Sequence, residues 1–209
     1  MRRAWEELKF GVHLMLHPFK GFWSLKFEKR GTVKAAIVFL LLFCFSSIAS
    51  GLFTGYLFNP DGGLNYNLYE NFALILLLFF LWCIGNWCLT SLFDGTGTFR
   101  DIFIATAFSL LPYSFVQILL IPLSHTLAQT EASFYQMIMM IGILWTAGLL
   151  CCSVIVTHQY TLLKSLVTIV CTLLSMCVIA YILLLFFHLI EQIYAFVVIF
   201  WREWTLRLV

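Results

Sequence analysis

Two aspartates, Asp94 and Asp101, have the types and spacing best suited to chemistry in this chain, because a pair of carboxyls can share a proton and activate water. They flank the stretch Asp94-Gly-Thr-Gly-Thr-Phe-Arg-Asp101. An intramembrane aspartyl hydrolase needs its two carboxyls facing each other inside apolar spans, so that one stays protonated. Here both stand at the ends of apolar runs, on either side of a turn and within reach of water. Other constellations are weaker still. His13, His17, His125, His158 and His188 are scattered, Ser109 has no histidine beside it, and HExxH, P-loop and GxSxG motifs are absent. Cys44, Cys83, Cys88, Cys151, Cys152, Cys171 and Cys177 fall within apolar runs, where a thiol serves as a small hydrophobe. The residues imply no catalytic centre, no metal and no cofactor.

As a hinge the same stretch explains itself. Thr98 and Asp101 match a capping box with Asp in place of the usual Glu. Asp94 suits an Asx-type turn, and Gly95 and Gly97 are expected to supply positive φ where the chain reverses.

The elements around the hinge follow from composition. The chain has 209 residues, 62% of them hydrophobic and 11% charged, too little polar surface for a soluble domain. Five apolar runs, Ala35–Phe58, Phe72–Phe93, Ile102–Leu123, Phe134–Val156 and Ser165–Phe187, contain no Asp, Glu, Lys, Arg or His. By its end positions each is 22 to 24 residues long, and roughly 20 cross a bilayer. No strand-like alternation appears, so the expected fold is all-α, with five transmembrane helices.

Net charge is only +2, but 8 of the 12 basic residues precede the first span. Loops 59–71 and 124–133 carry no Lys or Arg, whereas loops 94–101 and 157–164 carry Arg100 and Lys164. That asymmetry puts the N-terminus in the cytoplasm and the C-terminus outside. The expected setting is a bacterial cytoplasmic membrane, and no nucleic-acid partner is implied.

Residues 1–34 form a cytoplasmic segment ahead of the 35–187 span domain. Over 2–16, Trp5, Leu8, Val12, Met15 and Leu16 share one helical face, with Arg2, Arg3, Lys9 and other charges around it. His17-Pro18 breaks the pattern, and Phe19–Phe27 adds Trp23 and further lysines. This segment is expected to lie on a surface of anionic headgroups, or to dock a protein. Residues 188–209, closed by Trp201-Arg-Glu-Trp204, are expected to form an interfacial helix or to extend the fifth span.

Inside the spans, Asn86 and Thr90 offer a hydrogen-bonding stripe to a neighbouring helix. Pro112 should kink the third helix and free the carbonyl of Phe108, while Ala105, Ala107 and Ser109 allow close approach. With no ionisable relay in any span, a coupled transporter is disfavoured.

The run Asn86-Trp87, then Asp94-Gly-Thr-Gly-Thr-Phe99-Arg100, then Ala107-Phe-Ser-Leu-Leu-Pro112 resembles the Yip family of Ypt/Rab-interacting integral membrane proteins, in a bacterial-type branch. His17-Pro-Phe-Lys-Gly-Phe-Trp23 is similar to the pre-membrane segment of that branch, and the likeness covers roughly residues 17–187. For eukaryotic members the resemblance implies binding of prenylated GTPases, but their Asp-Leu-Tyr-Gly-Pro motif is missing here and Ala107-Phe108 replaces Gly-Tyr. The expectation is a non-enzymatic membrane scaffold with a membrane-protein partner or a second copy of itself. The alternative is an accessory subunit of a transporter, for instance of ABC type, whose permease the kinked third helix would contact.

Overall fold

A computed structural model describes residues 2–59 and 66–207. Asp61 lies outside them, as do the side chains of Arg2, Arg3 and Trp5, so their expected roles are not described further. The elements are α1 (Arg2–Leu16), α2 (Pro18–Phe27), α3 (Val33–Phe53), α4 (Leu68–Leu92), α5 (Phe99–Ser109), α6 (Leu111–Thr126), α7 (Ala132–His158) and α8 (Leu162–Arg207). No strand occurs among the described residues. Five helical stretches are long and apolar enough to cross a membrane: Val33–Phe53, Leu68–Leu92, Phe99–Thr126, Gln129–His158 and Leu162–Thr205.

Helix starts are set by side-chain caps. Thr32 accepts from the Ala35 amide at 3.1 Å to open α3, and Asn67 accepts from Glu70 at 3.4 Å to open α4. The third span is the centre of the bundle, 61% buried where the others reach at most 33%. Its upper half α5 packs between α3 and α7, and α6 continues between the same two. Pro112 does more than kink this span. The helix breaks at Leu110, α6 restarts with the proline in its first turn, and the Leu110 amide donates to the freed Phe108 carbonyl. Ser109 turns inward onto its own helix, donating to the Ala105 carbonyl at 2.8 Å. Away from the hinge, Ser46 and Ser47 of α3 both donate to Gln117 Oε1 of α6, at 2.9 and 3.1 Å.

The N-terminal helices differ from a segment lying flat on the membrane. Glu7 accepts from Thr32 at the start of α3, yet Trp145, well inside α7, donates to the Met15 carbonyl at 3.3 Å. Lys26 returns to the end of α7. Because Trp145 lies 13 residues before His158, at ~1.5 Å per residue the corner at His17-Pro18 sits about 20 Å along α7 from the hinge. The pair therefore leans along the wall of the bundle as an αα-corner. Burial follows that placement. Gly11, Leu14, Phe22 and Leu25 face the protein, while Val12, Leu16, Phe19, Trp23 and Phe27 are exposed. Of the stripe read from the sequence, Val12 and Leu16 face outward, whereas Leu8 and Met15 pack partly against the core. A helix's inner face here needs small and aromatic residues that fit Phe39, Phe108 and Leu111, and amphipathicity alone does not select them. Lys9 and Lys20 are exposed and Pro18 is half-buried.

At the other end, residues 188–207 form no separate interfacial element; they continue α8, which runs 46 residues without a break. His188 does not interrupt it, because Gln192 and Glu191 partner it along the same helix at 3.0 and 3.8 Å. At ~1.5 Å per residue α8 is about 69 Å long, over twice the ~30 Å of a hydrocarbon core. From Tyr181 to Thr205 every residue is exposed.

Candidate functional site

The hinge between α4 and α5 is where the polar groups of this bundle converge. Its α5 end is closed by the capping box read from the sequence: Asp101 N donates to Thr98 Oγ1 at 3.3 Å, and Thr98 N donates to Asp101 Oδ2 at 3.1 Å. The Thr98 hydroxyl also donates to the same carboxylate oxygen, at 2.7 Å. The turn itself differs from expectation. The left-handed residue is Asp94, with φ 56°, and neither Gly95 nor Gly97 has a positive φ. Aspartate tolerates that conformation, so the backbone reversal needs no glycine. Nor does Asp94 make an Asx turn; among the described residues its carboxylate accepts no hydrogen bond.

The glycines serve close approach instead. A Cβ on Gly95 would stand 2.7 Å from His158 Nδ1 and from the Tyr160 hydroxyl, and one on Gly97 would stand 2.7 Å from His158 Cε1. The hinge backbone is laid directly on the edge of the His158 ring, at the last residue of α7.

His158 is 2% exposed and Asn86 1%. They pair across the helices, His158 Nε2 donating to Asn86 Oδ1 at 3.1 Å when the ring proton sits on Nε2. His158 Nδ1 is left without a partner. Tyr160 stacks on the ring with centroids 5.4 Å apart. Thr90, one turn after Asn86, bonds to its own helix at the Asn86 carbonyl (2.7 Å). Trp87 stays half-exposed and meets Phe99 edge-on at 6.1 Å.

Two lysines close the arrangement. Lys26 Nζ of α2 donates to the Thr157 carbonyl at 2.6 Å and to Thr96 Oγ1 at 2.7 Å, joining α2, the hinge and the end of α7. A cation there also complements the C-terminal end of the α7 dipole. Burial holds the Lys26 ammonium below the usual lysine range, with Asp101 nearby acting against that shift. On the other side, Tyr160 Oη and Lys164 Nζ both donate to the Phe93 carbonyl, at 3.0 and 2.9 Å. Lys164 Nζ lies 4.3 Å from the Tyr160 ring centre, a cation–π contact.

This arrangement holds helix ends together. The cavity beside Asn86, Thr106, Ser153 and His158 is about 10 Å³, space for about one water and no substrate. Asp101 is committed to its cap and Asp94 is exposed on the turn. Among the described residues no three His, Cys, Asp or Glu stand close enough to hold a metal.

The Yip1 domain family matches residues 12–186, most of the chain. The chain belongs to the Yip1 domain family. Its Yip1 domain opens inside α1 and closes in α8 at residue 186, close to where α8 leaves the bundle. Neither a curated relative nor a solved structure matches the chain at a significant level. Within the Yip1 domain the residues singled out in the sequence fall into two groups. Asn86, Asp94, Gly95, Gly97, Thr98 and Asp101 gather at the hinge, whereas Ser109 and Pro112 sit at the break in the third span. Arg100 is exposed beside the hinge.

Sequence reasoning missed His158 and Lys26. A signal for the first was present: Asn86 near the end of the second span and His158 at the end of the fourth lie on the same side of the bundle. Lys26 carried no such mark, since nothing in a row of basic residues distinguishes the one that reaches a helix end.

Proposed function

We propose that this Yip-type protein is a non-enzymatic membrane scaffold, one that gathers other membrane components through helix surface its own bundle leaves uncovered. The observation that carries the reading is α8. From Tyr181 to Thr205 every residue is exposed, and most are apolar, with His188, Glu191, Gln192, Arg202 and Glu203 among them. Lipid can cover the part within a bilayer, but the helix is about twice as long as one crossing requires. Apolar helix surface on that scale is normally buried against lipid or another protein. The hinge supports the same reading from the other side, with Asp101 held in its cap and His158 bonded to Asn86.

The test is purification in mild detergent with mass spectrometry of what co-elutes, comparing the full chain with a chain ending at Phe187. Stoichiometric membrane-protein partners on the full chain alone are expected. A monodisperse lone chain in both would remove the support.

A second reading, an accessory subunit of a transporter of ABC type, keeps α8 as its contact. The third helix is buried at its break, at Leu111 and Pro112, but exposes Phe115, Ile118 and Leu119 beyond it, where a permease could also be contacted. A permease among the co-eluting proteins would favour it.

For placement we propose the bacterial cytoplasmic membrane, with the N-terminus and the hinge in the cytoplasm. This rests on the basic residues ahead of the first span and on Arg100 and Lys164. In a cysteine-free background, an impermeant thiol reagent should label Asp61→Cys from outside and leave Asp94→Cys untouched. Labelling in the reverse order would overturn the orientation.

A further inference from the structure

We propose that the cleft between the α2–α3 connection and the hinge binds the phosphate headgroup of an anionic phospholipid. The cleft encloses about 410 Å³. Its rim carries Lys26, Lys29 and Arg100 against a single acid, Asp101, whose Oδ2 already accepts from the Thr98 amide and hydroxyl. Its floor is built: Gly31 is pressed so close that a Cβ would stand 2.5 Å from Leu25 Cδ2 and 2.8 Å from Ile104 Cγ2.

Two cations are free to bind. Among the described residues neither Lys29 nor Arg100 is in an ion pair, whereas the neighbouring Arg30 pairs with Glu28 at 3.1 Å. Lys29 also holds the left-handed conformation, φ 53°, which glycine or asparagine adopts more easily. The chain thus keeps a lysine where the backbone alone favours another residue. Lys26 is fixed by its bonds to Thr96 and Thr157 and contributes charge to the cleft.

The surroundings point to a lipid over a soluble phosphate. The cleft lies level with the start of α3 and of α5, where membrane-spanning segments emerge. Phe27 lines it, and Trp23 stacks on Phe27 with centroids 4.0 Å apart, both rings exposed. Aromatic rings beside cations at that depth are the pattern of the membrane interface. The inference goes beyond the scaffold reading and does not depend on it.

The test is a native mass spectrometry titration of the full-length protein in detergent with phosphatidylglycerol, phosphatidylcholine and soluble glycerol phosphate. The first phosphatidylglycerol should bind well ahead of phosphatidylcholine. Lys29→Gly with Arg100→Gln should weaken it roughly thirtyfold, from two lost cations. Both changes suit the backbone: glycine fits the Lys29 conformation, and losing a cation favours the first turn of α5. The variant should therefore melt no lower than the parent without lipid. A charge-matched control, Lys20→Gln with Lys34→Gln, should lose less than about threefold, as neither residue lines the cleft. Equal losses in both variants, or none in the first, would show only diffuse surface charge and overturn the site. Glycerol phosphate displacing the lipid at equal concentration would overturn its assignment to a lipid.

Discussion

Gly97→Val should destabilise this protein strongly. The added Cβ would meet His158 Cε1 and Thr157 Cγ2 at 2.7 Å and His158 Nδ1 at 3.0 Å. None of these atoms is the end of a flexible chain. His158 is buried and bonded to Asn86 on one edge and stacked on Tyr160 over its face, so the ring has nowhere to turn. Overpacking of a filled site costs on the order of 1–3 kcal/mol, and the two γ-methyls put valine at the upper end. Gly97→Ala should already show most of the loss. Thermal unfolding in detergent measures it, with Gly148→Ala as the comparison. That glycine has no atom within 4 Å of its Cβ position, so alanine should be neutral there or gain up to about 1 kcal/mol from helix propensity. If Gly97→Ala were as silent as Gly148→Ala, the packing of the hinge on His158 would be wrong.

The second large effect is expected at Asn86. Asn86→Leu keeps an apolar side chain of similar size but leaves His158 with neither ring nitrogen partnered in a buried site. The penalty for one orphaned buried polar group is about 1–3 kcal/mol. Removing the histidine as well should recover part of it, because two apolar residues in contact no longer carry a desolvated donor. The double variant Asn86→Leu with His158→Leu should therefore be more stable than the sum of the singles predicts. Additive losses would mean that the 3.1 Å pairing contributes nothing.

Much of this architecture was legible because its signals are local. Five uncharged runs of sufficient length can only be membrane helices. The Thr98–Asp101 cap is written in four consecutive residues, and Pro112 announces a break wherever it falls inside a helix. What was not legible is which atoms meet across helices. Gly95 and Gly97 looked like turn residues, since glycine in a hinge usually supplies positive φ. The reason for them lies about 60 residues away, in the ring of His158. Val12 and Leu16 were grouped on one face of α1 with Leu8 and Met15 because periodicity tells one face from another without saying which of two apolar surroundings each residue faces. In a membrane protein lipid and protein interior are both apolar, so Gly11 and Leu14 are distinguished only by the fit to Phe39, Leu111 and Gly21. The continuity of α8 is one of the two forms expected for residues 188–209, and His188, Glu191 and Gln192 fit it because at helical spacing they partner one another.

The central claim is that the hinge acids shape a turn and move no proton. It is tested most directly by Asp94→Asn and Asp101→Asn, measuring thermal stability and complementation of a null strain side by side. Asparagine keeps an acceptor oxygen for the Thr98 amide and adopts the left-handed conformation of residue 94 as readily as aspartate. Both variants should be nearly silent in both measurements. Asp101→Ala should lose about 1 kcal/mol with the cap. A proton-exchanging pair demands the opposite, since an amide cannot take up and release a proton. Two asparagine variants that fold like the parent but fail to complement would contradict the account.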